Sequence, residues 1–249
     1  SAAPDTMELA ALGISDYIYL NAISDLSWEI AGTGDFNGDG NTDILWRNYG
    51  AGEFSGWNVV WYMNGGWIAD FGYLNGISDL DWRIAGTGDF NRDGYTDILW
   101  RNYGTGEFSG WNVIWYMNGQ GIAGFGYLYG ISDLSWEIAG TGDFDGDGQL
   151  DILWRNYGSG EYSGWNVIWY MNGEGIANFG YLYGISDLNW RIVGTGDFNN
   201  DGHADFLWRN YGSGDYQGWN CIWHMQGEGI IGFDYPNLIP DLNWKIVNR

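Results

Sequence analysis

Four stretches of this chain carry oxygen side chains at alternate positions. They are Asp35, Asn37, Asp39 and Asp43; Asp89, Asn91, Asp93 and Asp97; Asp143, Asp145, Asp147 and Asp151; and Asp197, Asn199, Asp201 and Asp205. Each obeys the pattern D-x-[ND]-x-D-G-x-x-D. Alternate oxygens converge on one point when such a loop curls, and the glycine permits the tight turn. A backbone carbonyl at the seventh position (Asn41, Tyr95, Gln149 or His203) completes an all-oxygen shell. That donor set suits a hard cation of the Ca²⁺ type and not zinc. The pattern departs from an EF-hand, because the twelfth position is Trp46, Trp100, Trp154 or Trp208 in place of a bidentate Glu. The alternative is a solvated Asp/Gly turn without metal. Four copies in phase favour about four structural Ca²⁺ ions, and without them each cluster of carboxylates repels itself.

A second set of residues recurs with the loops. Arg47, Arg101, Arg155 and Arg209 lie inside otherwise apolar segments, and Glu53, Glu107, Glu161 and Asp215 follow in the next turn. A hairpin would bring each Arg to its own acid, as a structural ion pair or as a polar clamp for a sugar hydroxyl or an acidic glycan. Trp57, Trp111, Trp165 and Trp219 open the next segment, either as core or as stacking faces. The aromatics around this turn, such as Tyr49 and Phe54, also suit a protein contact. Four equivalent sets would make four shallow sites whose avidity exceeds their single affinities. His203 and His224 each break the repeat once and are expected to be incidental; Cys221 replaces a Val and is expected in the core.

The elements that position these residues repeat every 54 residues: the first Asp of each loop falls at 35, 89, 143 and 197. Starting at Tyr17, units run 17–70, 71–124, 125–178 and 179–232, and residues 233–249 repeat the opening of the first. Residues 1–16 form an N-terminal extension, within which 6–12 alone have helical composition. Turn signals divide each unit into about four short strands: 28–32, 43–49, 57–64 and 68–74 in the first. The segment 57–64 (WNVVWYMN) is apolar on both faces, which places it inside a sandwiched sheet. The expected class is all-β, a β-propeller-like array of about four blades. A β-solenoid and an open head-to-tail polymer are the alternatives. The duplicated end serves as a cap, as part of a shared fifth blade, or as a joint between molecules.

Composition narrows the function classes. The chain has 249 residues, 43 Gly, 18 Trp and a formal charge of −23. So acidic a surface repels phosphate backbones and anionic lipid, which argues against nucleic-acid and membrane-surface binding. The single Cys221 excludes an intrachain disulfide and a thiolate metal cluster. No apolar run approaches the ~18 residues of a membrane span.

The run GDFNGDGxxDILWRN resembles the FG-GAP/VCBS repeat family, of which the integrin α-subunit propeller is a well-known relative. The resemblance covers residues 17–249 and implies a propeller with structural Ca²⁺ at the loop positions named above. It departs in having about four blades where integrin-type propellers have seven, and in its richness in Trp. No catalytic spacing emerges, and four near-identical environments oppose the division of labour that a pair of catalytic carboxylates requires. The expectation is an extracellular, Ca²⁺-stabilised, non-enzymatic repeat protein acting as a multivalent adhesive or carbohydrate-binding module. Its partners would be glycans or cell-surface proteins. A self-associating subunit of an extracellular fibre or surface layer is the alternative.

Overall fold

The computed structural model describes residue 20, residues 22–173 and residues 175–246. The N-terminal extension and its helix-like stretch 6–12 lie outside the described residues. Sixteen strands follow one another, and no described residue is helical. They form four antiparallel sheets of four strands in sequence order, a four-bladed β-propeller.

Blade 1 contains β1 (Trp28–Gly34), β2 (Asp43–Asn48), β3 (Asn58–Asn64) and β4 (Trp67–Leu74). Blade 2 contains β5 (Trp82–Gly88), β6 (Asp97–Asn102), β7 (Asn112–Met117) and β8 (Ile122–Leu128). Blade 3 contains β9 (Trp136–Gly142), β10 (Asp151–Asn156), β11 (Asn166–Met171) and β12 (Ile176–Leu182). Blade 4 contains β13 (Trp190–Gly196), β14 (Asp205–Asn210), β15 (Asn220–Gln226) and β16 (Gly229–Asp234). The repeat frame that starts at Tyr17 therefore passes through the fourth strand of each blade.

The two middle strands of blade 2 are covered on both faces, which suits the consecutive apolar residues at their centres, Ile98-Leu99-Trp100 and Val113-Ile114-Trp115, and the other blades follow the same pattern. The first strands (β1, β5, β9 and β13) pack side by side and line a central cavity of about 680 Å³. Their Gly-Thr pairs set this spacing. A Cβ on Gly32 would strike the Thr87 side chain, and Thr87 Oγ1 donates to Thr33 O at 2.9 Å. Each blade carries the same two irregularities, one between its first and second strands and one between its third and fourth.

Adjacent blades join through one kind of interface. The trailing face of blade 1 offers Phe36, Leu45 and Val60; the leading face of blade 2 offers Ile98, Trp100, Trp115 and Met117. Blades 2 and 3 repeat this contact through Phe90, Leu99 and Ile114 against Ile152, Trp154 and Trp169. Blades 3 and 4 repeat it again, with the Phe144 and Phe206 rings edge-to-face at 5.3 Å. Among the described residues no such cluster joins blade 4 to blade 1. The leading face of blade 1 forms its own cluster around Val59, Trp61 and Met63.

Candidate functional site

Each acidic loop connects the first strand of its blade to the second. Asp35 Oδ1 accepts the backbone N–H of Gly38 at 2.7 Å and that of Asp39 at 3.1 Å, and its Oδ2 accepts that of Gly40 at 2.8 Å. Asp39 Oδ1 accepts from Asn41 N at 2.8 Å, which holds the Asp39 carboxyl below the usual range. Asp43 closes the loop onto the sheet: its Oδ2 accepts from Phe36 N at 3.0 Å and its Oδ1 from Met63 N at 2.8 Å. The curl needs left-handed backbone at two places, Gly38 (φ 76°) and Gly40 (φ 83°). At the first of these the second and fourth loops place Arg92 (φ 61°) and Asn200 (φ 60°), so the loop tolerates a side chain there.

In the third loop one carboxylate oxygen from each of Asp143, Asp145 and Asp151 lies within 4.8 Å of the other two. Ligands of a Ca²⁺ ion lie about 2.4 Å from it, so two of them are at most about 4.8 Å apart. The donor set is all oxygen, and the three residues fit one such ion. The other loops place the neutral amides Asn37, Asn91 and Asn199 at the second position, where the side-chain nitrogen bonds the next Asp, as Asn37 Nδ2 does to Asp39 Oδ2 at 3.1 Å. Burial pushes the Asp97 and Asp151 carboxyls up to about 7, against the backbone N–H bonds that favour their ionised forms. A cation beside them would reverse that shift.

The arginines sit elsewhere than the sequence placed them. Arg47, Arg101, Arg155 and Arg209 are 0% exposed, so none of them clamps a ligand. Nor does any pair with Glu53, Glu107, Glu161 or Asp215, which stay exposed in the turn. Arg47 Nη1 donates to Gly56 O and to Asn58 Oδ1, both at 3.0 Å, and its Nη2 donates to Ile77 O at 3.0 Å. The Trp100 ring of the next blade covers the guanidinium at 4.8 Å. Carbonyl dipoles and an aromatic face replace its hydration inside the interface, where a carboxylate would itself need desolvation. The same partners recur for Arg101 and Arg155, with Trp154 and Trp208 above them. Arg209 keeps the carbonyl bonds, to Gly218 O and Ile239 O.

The tryptophans immediately before the third strand stand at the surface, Trp57 being 41% exposed. Trp57 meets Phe54 edge-on at 5.2 Å and Tyr73 at 6.3 Å. Beside them lies a cleft of about 290 Å³, lined also by Trp28, Trp61 and Phe71. Blade 2 repeats it at about 240 Å³ with Trp82, Phe108, Trp111, Trp115, Phe125 and Tyr127. Trp165 with Tyr162 and Trp219 with Tyr216 repeat the edge-on contact in blades 3 and 4. The outer-strand tyrosines, absent from the candidate residues drawn from sequence, belong to this surface.

His224 is not incidental. Its Nδ1 lies 2.9 Å from Asp205 Oδ2 and its Nε2 2.9 Å from Asp234 Oδ2. Hydrogen bonding to Asp205, seconded by Asp234, raises its pKa. The signal was a paired departure: blades 1 to 3 have Tyr62, Tyr116 and Tyr170 over Gly72, Gly126 and Gly180, and blade 4 replaces both members. His203 Nδ1 lies 3.2 Å from Phe144 O, across the interface of blades 3 and 4. Cys221 is buried in the core, as expected.

The FG-GAP-like repeat family matches residues 35–100, 89–154 and 143–208, each match spanning the loop of one blade and reaching the second strand of the next. The chain belongs to that family. No curated protein matches it. Among solved structures, a chain of a nidogen/laminin complex aligns with a TM-score of 0.45 at 12% identity. That alignment covers 78% of this chain and 59% of the other, so this chain spans under two thirds of the structure it matches.

Proposed function

We propose that this chain is a Ca²⁺-stabilised extracellular binding module whose repeated aromatic clefts take neutral glycans. The observation that carries the reading is the cleft beside Trp57 and its copy beside Trp111. An exposed indole flanked by a second ring edge-on offers a flat apolar face to the C–H face of a sugar, while the hydroxyl of Tyr73 or Tyr127 in the lining offers a partner to a sugar hydroxyl. Since Arg47, Arg101, Arg155 and Arg209 are buried, neither cleft is lined by a cation, and the formal charge is −23, neutral glycans are favoured over acidic ones. Single sites of this kind are weak, and repetition raises their avidity.

The acidic loops hold Ca²⁺ in this reading, at Asp35, Asn37, Asp39 and Asp43 and their copies. The ion neutralises carboxylates that otherwise repel, and ties the loop to the second and third strands through the ninth-position Asp. The role is structural, and the protein is a binder with no catalytic step. A glycan panel probed in Ca²⁺ tests the proposal. Binding of neutral glycans that falls at least tenfold in Trp111→Ala with Trp57→Ala supports it. Absence of binding across the panel by the wild-type protein overturns it.

A further inference from the structure

The interface between blades is built from two faces, and at each end of the array part of one face loses its cover, although Trp61 and Met63 of blade 1 stay buried within their own cluster. Phe36, Phe90 and Phe144 are 0–1% exposed under the next blade; Phe198 in the same place on blade 4 is 43% exposed. Leu45, Leu99 and Leu153 are fully buried, as are Val60, Ile114 and Ile168, whereas Leu207 and Ile222 are only partly covered. The opposite end of the array shows the complement. Ile98, Ile152 and Phe206 are fully buried against the preceding blade, and Ile44 is only partly covered. Trp100, Trp154 and Trp208 cap an arginine of the preceding blade; Trp46 is partly exposed, and among the described residues no tryptophan of another blade covers Arg209.

We infer that the trailing face of blade 4 docks onto the leading face of blade 1 of a second copy, repeating between molecules the contact that blades make within one. The occupant is specified by residue type as well as by shape. Phe198 would meet Ile44 as Phe144 meets Phe206, and Trp46 would close over Arg209 as Trp208 closes over Arg155. Charge points the same way. The second residue of each inner strand alternates in sign around the array: Glu29, Arg83, Glu137 and Arg191. Arg191 lies 3.9 Å from Glu137 on its one side. A second copy brings Glu29 to its other side and continues the alternation.

The chain's own continuation does not. It places Lys245 on the rim of the cavity that Arg191 also lines, a like charge. It also leaves Trp244 67% exposed, where Trp28, Trp82, Trp136 and Trp190 each pack on the ring of their own blade's turn. In docking, the second copy's β1 takes the place of residues 244–246. The contact is heterologous, so it either closes a ring of copies or propagates. The leading face shares Trp46 and Trp61 with the cleft beside Trp57, but blade 2 keeps the same cleft while blade 1 covers its leading face, so docking and glycan binding are compatible.

Mixing of end-blocked variants tests it by sedimentation. Wild-type protein is expected to show a mass that rises with concentration. Ile44→Glu and Phe198→Glu are each expected to remain monomeric while retaining the wild-type circular dichroism, and an equimolar mixture to give one-to-one pairs through the two intact faces. Wild-type protein that stays monomeric at its highest soluble concentration, or single variants that assemble as it does, overturns the inference. Should either variant fold poorly, Ile44→Cys combined with Phe198→Cys, in a Cys221→Ala background, reads the same contact. Disulfide-linked multimers on oxidation support docking. Crosslinks within one chain, or none, overturn it.

Discussion

At the scale of single residues, the buried arginine is the least replaceable group in the repeat. Arg101 donates to Gly110 O, Ile131 O and Asn112 Oδ1; without the guanidinium Gly110 O keeps the Ile131 N–H, while Ile131 O and Asn112 Oδ1 lose this donor. Arg101→Met is therefore expected to destabilise by about 3 kcal/mol or more, because buried unsatisfied acceptors cost about 1–3 kcal/mol each. Glu107→Gln, in the exposed turn, is expected to change stability by under ~0.5 kcal/mol. Urea unfolding of the two variants separates this arrangement from a hairpin ion pair, which would make their losses similar. The carboxyls of Asp97 and Asp151 give a second prediction. Their folded pKa is about 7 against an ordinary value of 3.8, so the folded state binds more protons than the unfolded between those limits. Their contribution is present in acid and is lost as pH rises through 7. In chelator, the melting temperature attributable to them should rise from pH 7.5 to pH 5. Added Ca²⁺ needs the ionised carboxylates, so its stabilising effect should shrink over the same range. A Ca²⁺ effect that is equal at both pH values would contradict this.

At the scale of the element, the turn between the second and third strands is fixed by backbone contact. Gly110 holds φ 74°, and a Cβ there would run into the Ile131 carbonyl, the same oxygen that Arg101 binds. Gly110→Ala thus combines left-handed strain with a clash against backbone that cannot rotate away. A loss of at least about 2 kcal/mol is expected, measured by thermal or urea unfolding. Gly106→Ala, four residues earlier where a Cβ meets nothing, should be close to neutral. The strands themselves were legible from residue type. The segments chosen from turn signals in the first unit match each observed strand at one end and differ by one or two residues at the other, because tight turns and alternating apolar residues are local properties. The two irregularities in each sheet were not legible, since they depend on how neighbouring strands register.

At the scale of the molecule, stability is a sum over blades and the interfaces between them, as in other stacked repeats. Three interfaces are complete, and the two outer faces are where additional contact adds most. The sequence by itself determined the period and the four-stranded unit, and it favoured a propeller over a solenoid. Those features rest on spacing along the chain, which tandem repetition amplifies. The tertiary structure decided the rest. Arg47 binds a carbonyl 30 residues away and a ring of the next blade, so its partner was out of reach of any hairpin argument. His224 acquired two carboxylate neighbours only when β14, β15 and β16 came together. Near-identical repeats look alike in sequence whether they are internal or terminal. Only packing shows that Phe36 is covered and Phe198 is not, because exposure depends on the neighbouring blade and not on the residue.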